Sequence, residues 1–327
     1  MRIAAVVVTH NRPQLLQQAL AALRAQTRPL DTIYVVDNAS DDPAVVQSAQ
    51  SGPSAPSTPA ALLSNTVVLR SDTNIGGAGG FALGMARAFA AGHDWIWLLD
   101  DDAVARPDAL AHLLAALAGP AAGAGALCGT VREFGDIALR HRRRFHRLTG
   151  LERPLPRAAY EGPPCRTDTA SFVGFLVSAA AVAEVGLPDR SFFLAYDDTE
   201  YSLRLRRAGL ALWLVPDSVV EHLRARRARL RAGPFGRKHY FTIRNRIAVA
   251  RSYAALPLLP ACWAALAGCG LWLLSGGRLR RGAFRIFLQA VADGASGRLG
   301  PYPPALAQLE SGRRRSPQLP ARSGKVP

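Results

Sequence analysis

Four short apolar runs, at residues 3–8, 32–36, 66–69 and 95–99, punctuate the first hundred residues of this chain. Helical patterns lie among them. Pro13 stands at a first-turn position ahead of a stripe formed by Leu15, Leu16, Leu20 and Leu23, and residues 81–91 also read as helix. A run such as Ile3-Ala4-Ala5-Val6-Val7-Val8 suits a strand covered on both faces, as parallel strands are. The β-α-β-α order argues for an α/β sheet with helices on both faces. In such sheets ligands sit beyond the C-terminal ends of the strands. Asp37 follows the second run, and Asp100, Asp101 and Asp102 follow the fourth.

Three consecutive aspartates at a strand end repel one another unless a cation offsets them. Mg²⁺ and Mn²⁺ take carboxylate oxygens and commonly bridge to substrate phosphates. Alternate side chains of an extended segment point the same way, so Asp100 and Asp102 can face one ion while Asp101 faces elsewhere. The competing reading is a cluster that caps a helix. A second acidic group, Tyr196-Asp197-Asp198-Thr199-Glu200, follows the apolar run Phe192-Phe193-Leu194-Ala195 at the start of a helix expected over 199–208. Capping alone would account for Asp197 or Asp198, and Glu200 would complete such an arrangement. A strand is expected over 210–215, and Val219-Val220 precede His222.

With 327 residues, the chain has room for one large domain, or one domain and an appendage. Hydrophobic residues at 49% and charged residues at 20% describe an ordinary globular composition. The net charge of +16 is carried almost wholly by arginine, the only lysines being Lys238 and Lys325. Such a surface attracts nucleic acid, phosphorylated substrates or acidic lipid head groups. The arginines are scattered over several segments without a nucleic-acid-binding motif, which argues against a nucleic-acid partner. Cys128, Cys165, Cys262 and Cys269 form no CxxC pair and read as reduced thiols of a cytoplasmic protein. The apolar run at 3–8 is too short for a signal peptide.

Five motifs in order are specific in combination: Val8-Thr9-His10-Asn11-Arg12, Val36-Asp37-Asn38-Ala39-Ser40, Asn74-Ile75-Gly76-Gly77-Ala78-Gly79-Gly80-Phe81, Leu99-Asp100-Asp101-Asp102-Ala103, and Tyr196-Asp197-Asp198-Thr199-Glu200-Tyr201. Over about residues 3–250 the chain resembles the family 2 inverting glycosyltransferases. Within them it is most similar to bacterial rhamnosyl- and galactofuranosyltransferases of cell-envelope polysaccharide synthesis. The resemblance implies a GT-A fold, a Rossmann-like nucleotide-binding sheet over about 1–125 and an acceptor half over about 126–225. A helical, membrane-proximal region over 226–300 and a disordered tail over 301–327 complete the expected organisation.

Carried over by position, Thr9, Arg12, Asp37, Asn74, Gly76, Gly77 and Asp101 are expected at a UDP- or dTDP-linked sugar donor. Asp100 and Asp102 match the metal-binding aspartates for Mn²⁺ or Mg²⁺. His222, 24 residues beyond Asp198, stands where galactofuranosyl members place a metal-ligating histidine. Asp198 matches the catalytic base. Tyr196, Asp197 and Glu200 are expected toward a lipid-linked or glycan acceptor. So are Tyr240, Arg244 and Asn245, from a stretch whose aromatic stem and cationic heads suit a diphosphate. The basic run at 140–147 reads as a solvated loop.

Two features compete with this reading or extend it. Gly77-Ala78-Gly79-Gly80-Phe81-Ala82 fits the GxGxxA fingerprint of NAD-dependent oxidoreductases, but the glycines do not directly follow a strand, and a ribose needs one acid rather than three. The uncharged run at 254–275 is about long enough for a bilayer core. Arginines on both sides, Arg251 before it and Arg278, Arg280 and Arg281 after it, favour an element lying at the inner face of the cell membrane over a clean span.

Overall fold

The computed structural model describes residues 1–45, 47, 65–223, 234–256, 258–274 and 282–311. The loop expected at 51–59, the arginine cluster at 224–231, Arg278, Arg280, Arg281 and the chain beyond 311 lie outside the described residues.

The strands are β1 (Ile3–Thr9), β2 (Thr32–Asp37), β3 (Thr66–Arg70), β4 (Trp95–Asp100), β5 (Ala103–Ala105), β6 (Ala126–Glu133), β7 (Asp136–Ile137), β8 (Arg142–His146), β9 (Leu151–Pro154), β10 (Cys165–Thr167), β11 (Thr169–Ala170), β12 (Phe175–Ser178) and β13 (Leu212–His222). The helices are α1 (Pro13–Arg24), α2 (Gly76–Ala90), α3 (Ala109–Leu117), α4 (Ala179–Val185), α5 (Asp197–Arg207), α6 (Arg237–Tyr253), α7 (Leu258–Leu274), α8 (Ala283–Ser296) and α9 (Pro304–Ser311).

The main sheet runs β10-β13-β6-β12-β4-β1-β2-β3. The four expected strands form its parallel side, with β1 between β2 and β4. Strand β12 enters antiparallel between β4 and β6, and β13 runs parallel to β6. Alternation along β1 divides the core into two layers. Ile3, Ala5 and Val7 pack with Leu16, Leu20 and Leu23 of α1 and with Leu110 and Leu113 of α3. Ala4, Val6 and Val8 pack with Phe81 and Met85 of α2 on the opposite face. This is the mixed α/β architecture, with helices on both faces of the sheet, that the resemblance implies.

Helix α2 begins five residues before the expected start at Phe81, and that difference disposes of the dinucleotide fingerprint. Its glycines lie within the helix rather than in a strand-to-helix turn. A Cβ at Gly84 would stand 2.3 Å from Val6 Cγ1, and one at Gly80 would stand 2.6 Å from Val8 Cγ1. Small residues here let the helix sit close on β1 and β2, so the glycine pattern records helix-to-sheet packing.

Three expectations need correction. The strand expected over 210–215 continues to His222, with a register shift between Val215 and Val219. The basic run is not a solvated loop, because Arg142 is fully buried and pairs with backbone carbonyls of the β6–β12 region. The chain from 301 is not all tail. Tyr302 and Leu306 pack with Tyr240, Phe241, Ile243 and Ile247 of α6 in the core of the C-terminal helices, and Phe193 joins them from the loop before α5.

Candidate active site

The aspartate triplet ends β4 and is followed by strand β5, while α3 begins only at Ala109. Helix capping is therefore not its role. Strand β5 pairs antiparallel with the end of β13, in a register that sets His222 against Ala103. The backbone N–H of Leu223 donates to the Asp102 carbonyl at 2.7 Å. This pairing carries His222 to the aspartates: its Nε2 lies 3.1 Å from Asp102 Oδ1. One ligand atom each of Asp100, Asp102 and His222 fall within 4.8 Å of one another. On the other side of the ring, His222 Nδ1 meets Glu133 Oε1 at 2.9 Å.

This donor set fits a hard divalent cation. Two carboxylates and an imidazole converge, and the buried Asp102 Oδ1 faces His222 Nε2 directly. A carboxylate on the far nitrogen of a ligating histidine is also usual at metal sites. Electrostatics point the same way. Burial first, then Asp102, pushes Asp100 up to about 7. Burial works against the charge of Asp102, but His222 and Arg12 outweigh it and hold the carboxyl below its usual range. Burial also opposes charge on His222, yet the carboxylates of Asp102 and Glu133 outweigh it and raise the imidazole to about 10.

Asp101 faces elsewhere, as alternation requires. Its oxygens accept from Thr9 Oγ1 at 2.9 Å and Arg12 Nη1 at 3.0 Å, and the same Arg12 nitrogen reaches Asp102 Oδ2 at 3.3 Å. Asp101 is thus engaged with Thr9 and Arg12, and Arg12, about half exposed, is the member of the trio facing solvent. Asp37 is fully buried at the end of β2 and bound by Arg70 at 2.6 Å and the Ser40 N–H at 3.0 Å. The sequence reading missed Arg70. It ends the neighbouring strand in register with Asp37, and pairing β2 with β3 would have disclosed it.

Asn74 caps locally, accepting from the Gly76 N–H at 2.9 Å and from Asn38 Nδ2 at 3.3 Å. Asn38 in turn accepts from the Ile75 N–H at 2.8 Å and ties the end of β2 to the start of α2. Gly76 has a φ of +74°, and a Cβ there would collide with the Phe193 carbonyl, so glycine is required. A Cβ at Gly77 would meet nothing within 4 Å, which leaves its surface open to a ligand.

The second acidic group is delivered by a strained loop. Phe193, Ala195 and Tyr196 all have positive φ, at 63°, 65° and 66°. Non-glycine residues in this region cost about 1–3 kcal/mol each and persist only where their surroundings hold them. Asn245 supplies that hold: its Nδ2 donates to the carbonyls of Phe192, Leu194 and Ala195 at 3.0, 2.9 and 2.7 Å. Arg244 adds bonds to the carbonyls of Phe192 at 2.9 Å and Gly300 at 2.6 Å. Asp198 lies in the first turn of α5, with Oδ1 accepting from the Thr199 N–H at 2.6 Å. Asp197 is buried, and burial followed by the charges of Asp198 and Asp100 pushes its carboxyl well up. It links the two acidic groups electrostatically.

Four residues expected at the acceptor turn inward instead. Arg244 and Asn245 are buried and clamp the loop. Tyr240 is buried and donates to Asp293 at 2.7 Å. Glu200 accepts from Arg204 at 2.8 Å and from the Tyr253 hydroxyl at 2.6 Å, so its charge is already matched. In each case the sequence displayed a polar head without its direction. Tyr196 stays beside the site, where burial first and then Glu152 push its phenol up. Sequence reading also missed Arg143, half-buried within the basic run, which donates to Glu152 at 3.0 Å and Thr199 at 2.7 Å. The charge of Asp198 acts on it too.

Comparison with known proteins agrees with this geometry. The solved mannosyltransferase PcManGT from Pyrobaculum calidifontis, in complex with GDP-Man and Mn²⁺, matches 95% of this chain and 79% of its own at a TM-score of 0.55 and 18% identity. GalNAc-T7 with UDP, GalNAc and Mn²⁺ matches 76% of this chain and 47% of its own at a TM-score of 0.57 and 17% identity. These likenesses establish the fold, a GT-A glycosyltransferase fold. The profile described as glycosyltransferase-like family 2 matches residues 1–240, and the chain belongs to that family. Galactofuranosyltransferase GlfT1 of Mycobacterium tuberculosis (strain ATCC 25618 / H37Rv) is 36% identical over 226 residues, 67% of this chain and 69% of the relative. Its namesake in Mycolicibacterium smegmatis is 34% identical over 285 residues, 80% of this chain and 87% of the relative. The protein is a glycosyltransferase.

Two expectations follow from the geometry. A bound cation requires Asp100 ionised and His222 neutral at Nε2. The free protein holds a proton on His222 up to about 10 and on Asp100 up to about 7, so binding releases protons and strengthens as pH rises. The thermal midpoint should therefore gain more from Mn²⁺ at about pH 8.5 than at about pH 6, and a larger gain at the lower pH would contradict the site. Asn245→Ala should lower turnover at least about tenfold by releasing the loop before Asp198. Donor affinity should stay within about twofold of wild type. Unchanged turnover in this variant would refute the clamp.

Proposed function

We propose that the chain transfers a galactofuranosyl unit from a uridine diphosphate donor to a hydroxyl group of a lipid-linked or glycan acceptor, with inversion at the anomeric carbon. The observation that carries this reading is the convergence of His222 on Asp100 and Asp102, with Glu133 behind the ring. The relatives named for galactofuranosyl transfer support the choice of sugar. Solved neighbours that contain GDP-Man, or UDP together with Mn²⁺, support a nucleotide-sugar donor and a divalent cation.

In this proposal Asp198 is the general base. It takes the proton from the acceptor hydroxyl while that oxygen forms its bond to the anomeric carbon. The bond from that carbon to the diphosphate breaks on the opposite face, and the nucleoside diphosphate leaves with the electron pair. Asp100, Asp102 and His222 would hold a divalent cation, which would supply Lewis-acid stabilisation for the departing diphosphate. Arg12, tethered by Asp101, adds a fixed positive group beside this cluster. The open face above Gly77 leaves room for the donor at the start of α2. Tyr196 and Asp197 line the acceptor side. Asp37 holds Arg70 and the Ser40 turn in place at the nucleotide end.

We also propose that the C-terminal helices rest on a membrane surface, where a lipid-linked acceptor would be met, at the cytoplasmic face. No helix among the described residues is long and apolar enough to cross a membrane. Helix α7 nonetheless exposes Leu259, Trp263, Leu266 and Leu273, which recur at three-, four- and seven-residue spacing on one side. Phe284 and Leu288 of α8 are exposed as well, and the Phe284 ring lies 5.7 Å from that of Trp272. Exposed Arg251 and Arg285 flank these residues, as suits an anionic interface.

Binding of a donor panel with Mn²⁺, with Mg²⁺ and with EDTA tests the central reading. Metal-dependent binding of UDP-galactofuranose is expected. Preference for dTDP-rhamnose would reassign the sugar, and binding of neither would remove the proposal. Asp198→Asn should lower turnover by about two to four orders of magnitude with donor affinity intact, and wild-type-like turnover would exclude it as base. For the membrane, co-sedimentation with vesicles containing anionic phospholipid should fall when Trp263 and Leu266 are both changed to serine. Equal sedimentation of that variant would show that another surface binds.

A further inference from the structure

We propose that Glu133 is a positioning residue that fixes the tautomer and orientation of His222 toward the metal, at the end of a partly buried hydrogen-bond chain beginning at Arg142. The inference rests on the metal site proposed for Asp100, Asp102 and His222 and concerns residues behind it. Glu133 ends β6, and its Oε1 meets two imidazoles at once, His222 Nδ1 at 2.9 Å and His141 Nε2 at 3.2 Å. A carboxylate has only acceptors, so both of these nitrogens donate. His222 Nδ1 therefore keeps its proton on Glu133, and the proton that a cation would displace is the one on Nε2, the atom facing Asp102.

The chain continues by the same logic. With its proton on Nε2, His141 accepts at Nδ1, and the Ser171 hydroxyl donates there at 2.7 Å. Arg142 Nη1 donates to that Ser171 oxygen at 3.2 Å. Arg142 is itself immobilised in the core, with Nε on the Gly129 carbonyl at 2.9 Å and Nη2 on the Val173 carbonyl at 2.7 Å. Arg142 Nη1 also donates to the carbonyls of His141 at 3.0 Å and Ser171 at 3.3 Å, so it holds both residues of the link that runs through Ser171 and His141 to Glu133. The rings of His141 and His222 meet edge to face, 5.4 Å apart, which restrains rotation of His222 about its Cβ–Cγ bond. The arrangement explains why a fully buried arginine and a histidine stand side by side in the basic run.

The test is Mn²⁺ binding to the full chain, read from the electron paramagnetic resonance signal of free Mn²⁺, for wild type, Asp102→Asn, Glu133→Gln and His141→Gln. Thermal midpoints without metal are measured alongside. Wild type should bind one Mn²⁺ and Asp102→Asn should lose it; failure of wild type to bind removes the metal reading itself and this inference with it. Glu133→Gln keeps the side chain's shape but not its charge, and should weaken Mn²⁺ binding by about 10- to 100-fold. Its turnover should recover at saturating Mn²⁺, a split that a purely structural role would not produce. His141→Gln should shift affinity in the same direction by less, and decides the matter if Glu133→Gln does not fold. Mn²⁺ affinity within about twofold of wild type in the folded variant would overturn the proposal. So would a wild-type stoichiometry of two that falls to one in Glu133→Gln, since Glu133 would then be a ligand.

Discussion

Three carboxylates at the end of one buried strand repel one another, and much of the surrounding structure answers that repulsion. Asp101 is drawn aside by Thr9 and Arg12 from the end of β1. Asp100 and Asp102 remain together, and His222 arrives beside them on the far end of β13. That arrival depends on a topological detail. Strand β13 runs past its bulge far enough to pair with β5, the short strand immediately after the aspartates. A β13 ending at Val215 would leave the carboxylates without their imidazole. Charge at one strand end and strand pairing at another are thus a single constraint, and together they define the candidate cation site at the C-terminal edge of the sheet.

A second dependence links the catalytic turn to the C-terminal helices. The three positive-φ residues before α5 are held by carbonyl contacts from Asn245 and Arg244 on α6. Helix α6 is itself fixed by α8, where Asp293 accepts from Tyr240, and by Tyr302 and Leu306 in the shared core. The helices proposed to meet the membrane therefore brace the loop that carries Asp198. In the proposed reaction, placing the acceptor and holding the base would be tasks of one packed unit, and the strain of the loop before α5 is borne by buried side chains.

Much of the fold was legible because β1, β2, β3 and β4 are short apolar runs, and such runs have few alternatives in an α/β pattern. The start of α2 was not, because Gly76, Gly79, Gly80 and Gly84 disfavour helix locally, and only tertiary contacts show a purpose: Phe193 against Gly76, Val8 against Gly80 and Val6 against Gly84. At the candidate site, Asp100, Asp102 and His222, which the fold brings together, were visible through ordered motifs and the resemblance to a family. Glu133 was not. It lies 89 residues from His222, and nothing short of the β6–β13 pairing reveals that the two meet. Arg244 and Asn245 were assigned outward because a polar side chain in a sequence carries chemistry but no direction. His141 and Arg142 were hidden in a run of like charges that suggested solvent.

The central claim is that β13 delivers His222 as a nitrogen ligand to the cation held by Asp100 and Asp102. Pulsed electron paramagnetic resonance of the Mn²⁺-bound protein tests it most directly, since a directly bound imidazole imposes a nitrogen hyperfine coupling on the metal. The account requires that coupling in the wild type and its loss in His222→Gln. A wild-type spectrum without nitrogen coupling, or an unchanged coupling in the variant, would contradict it.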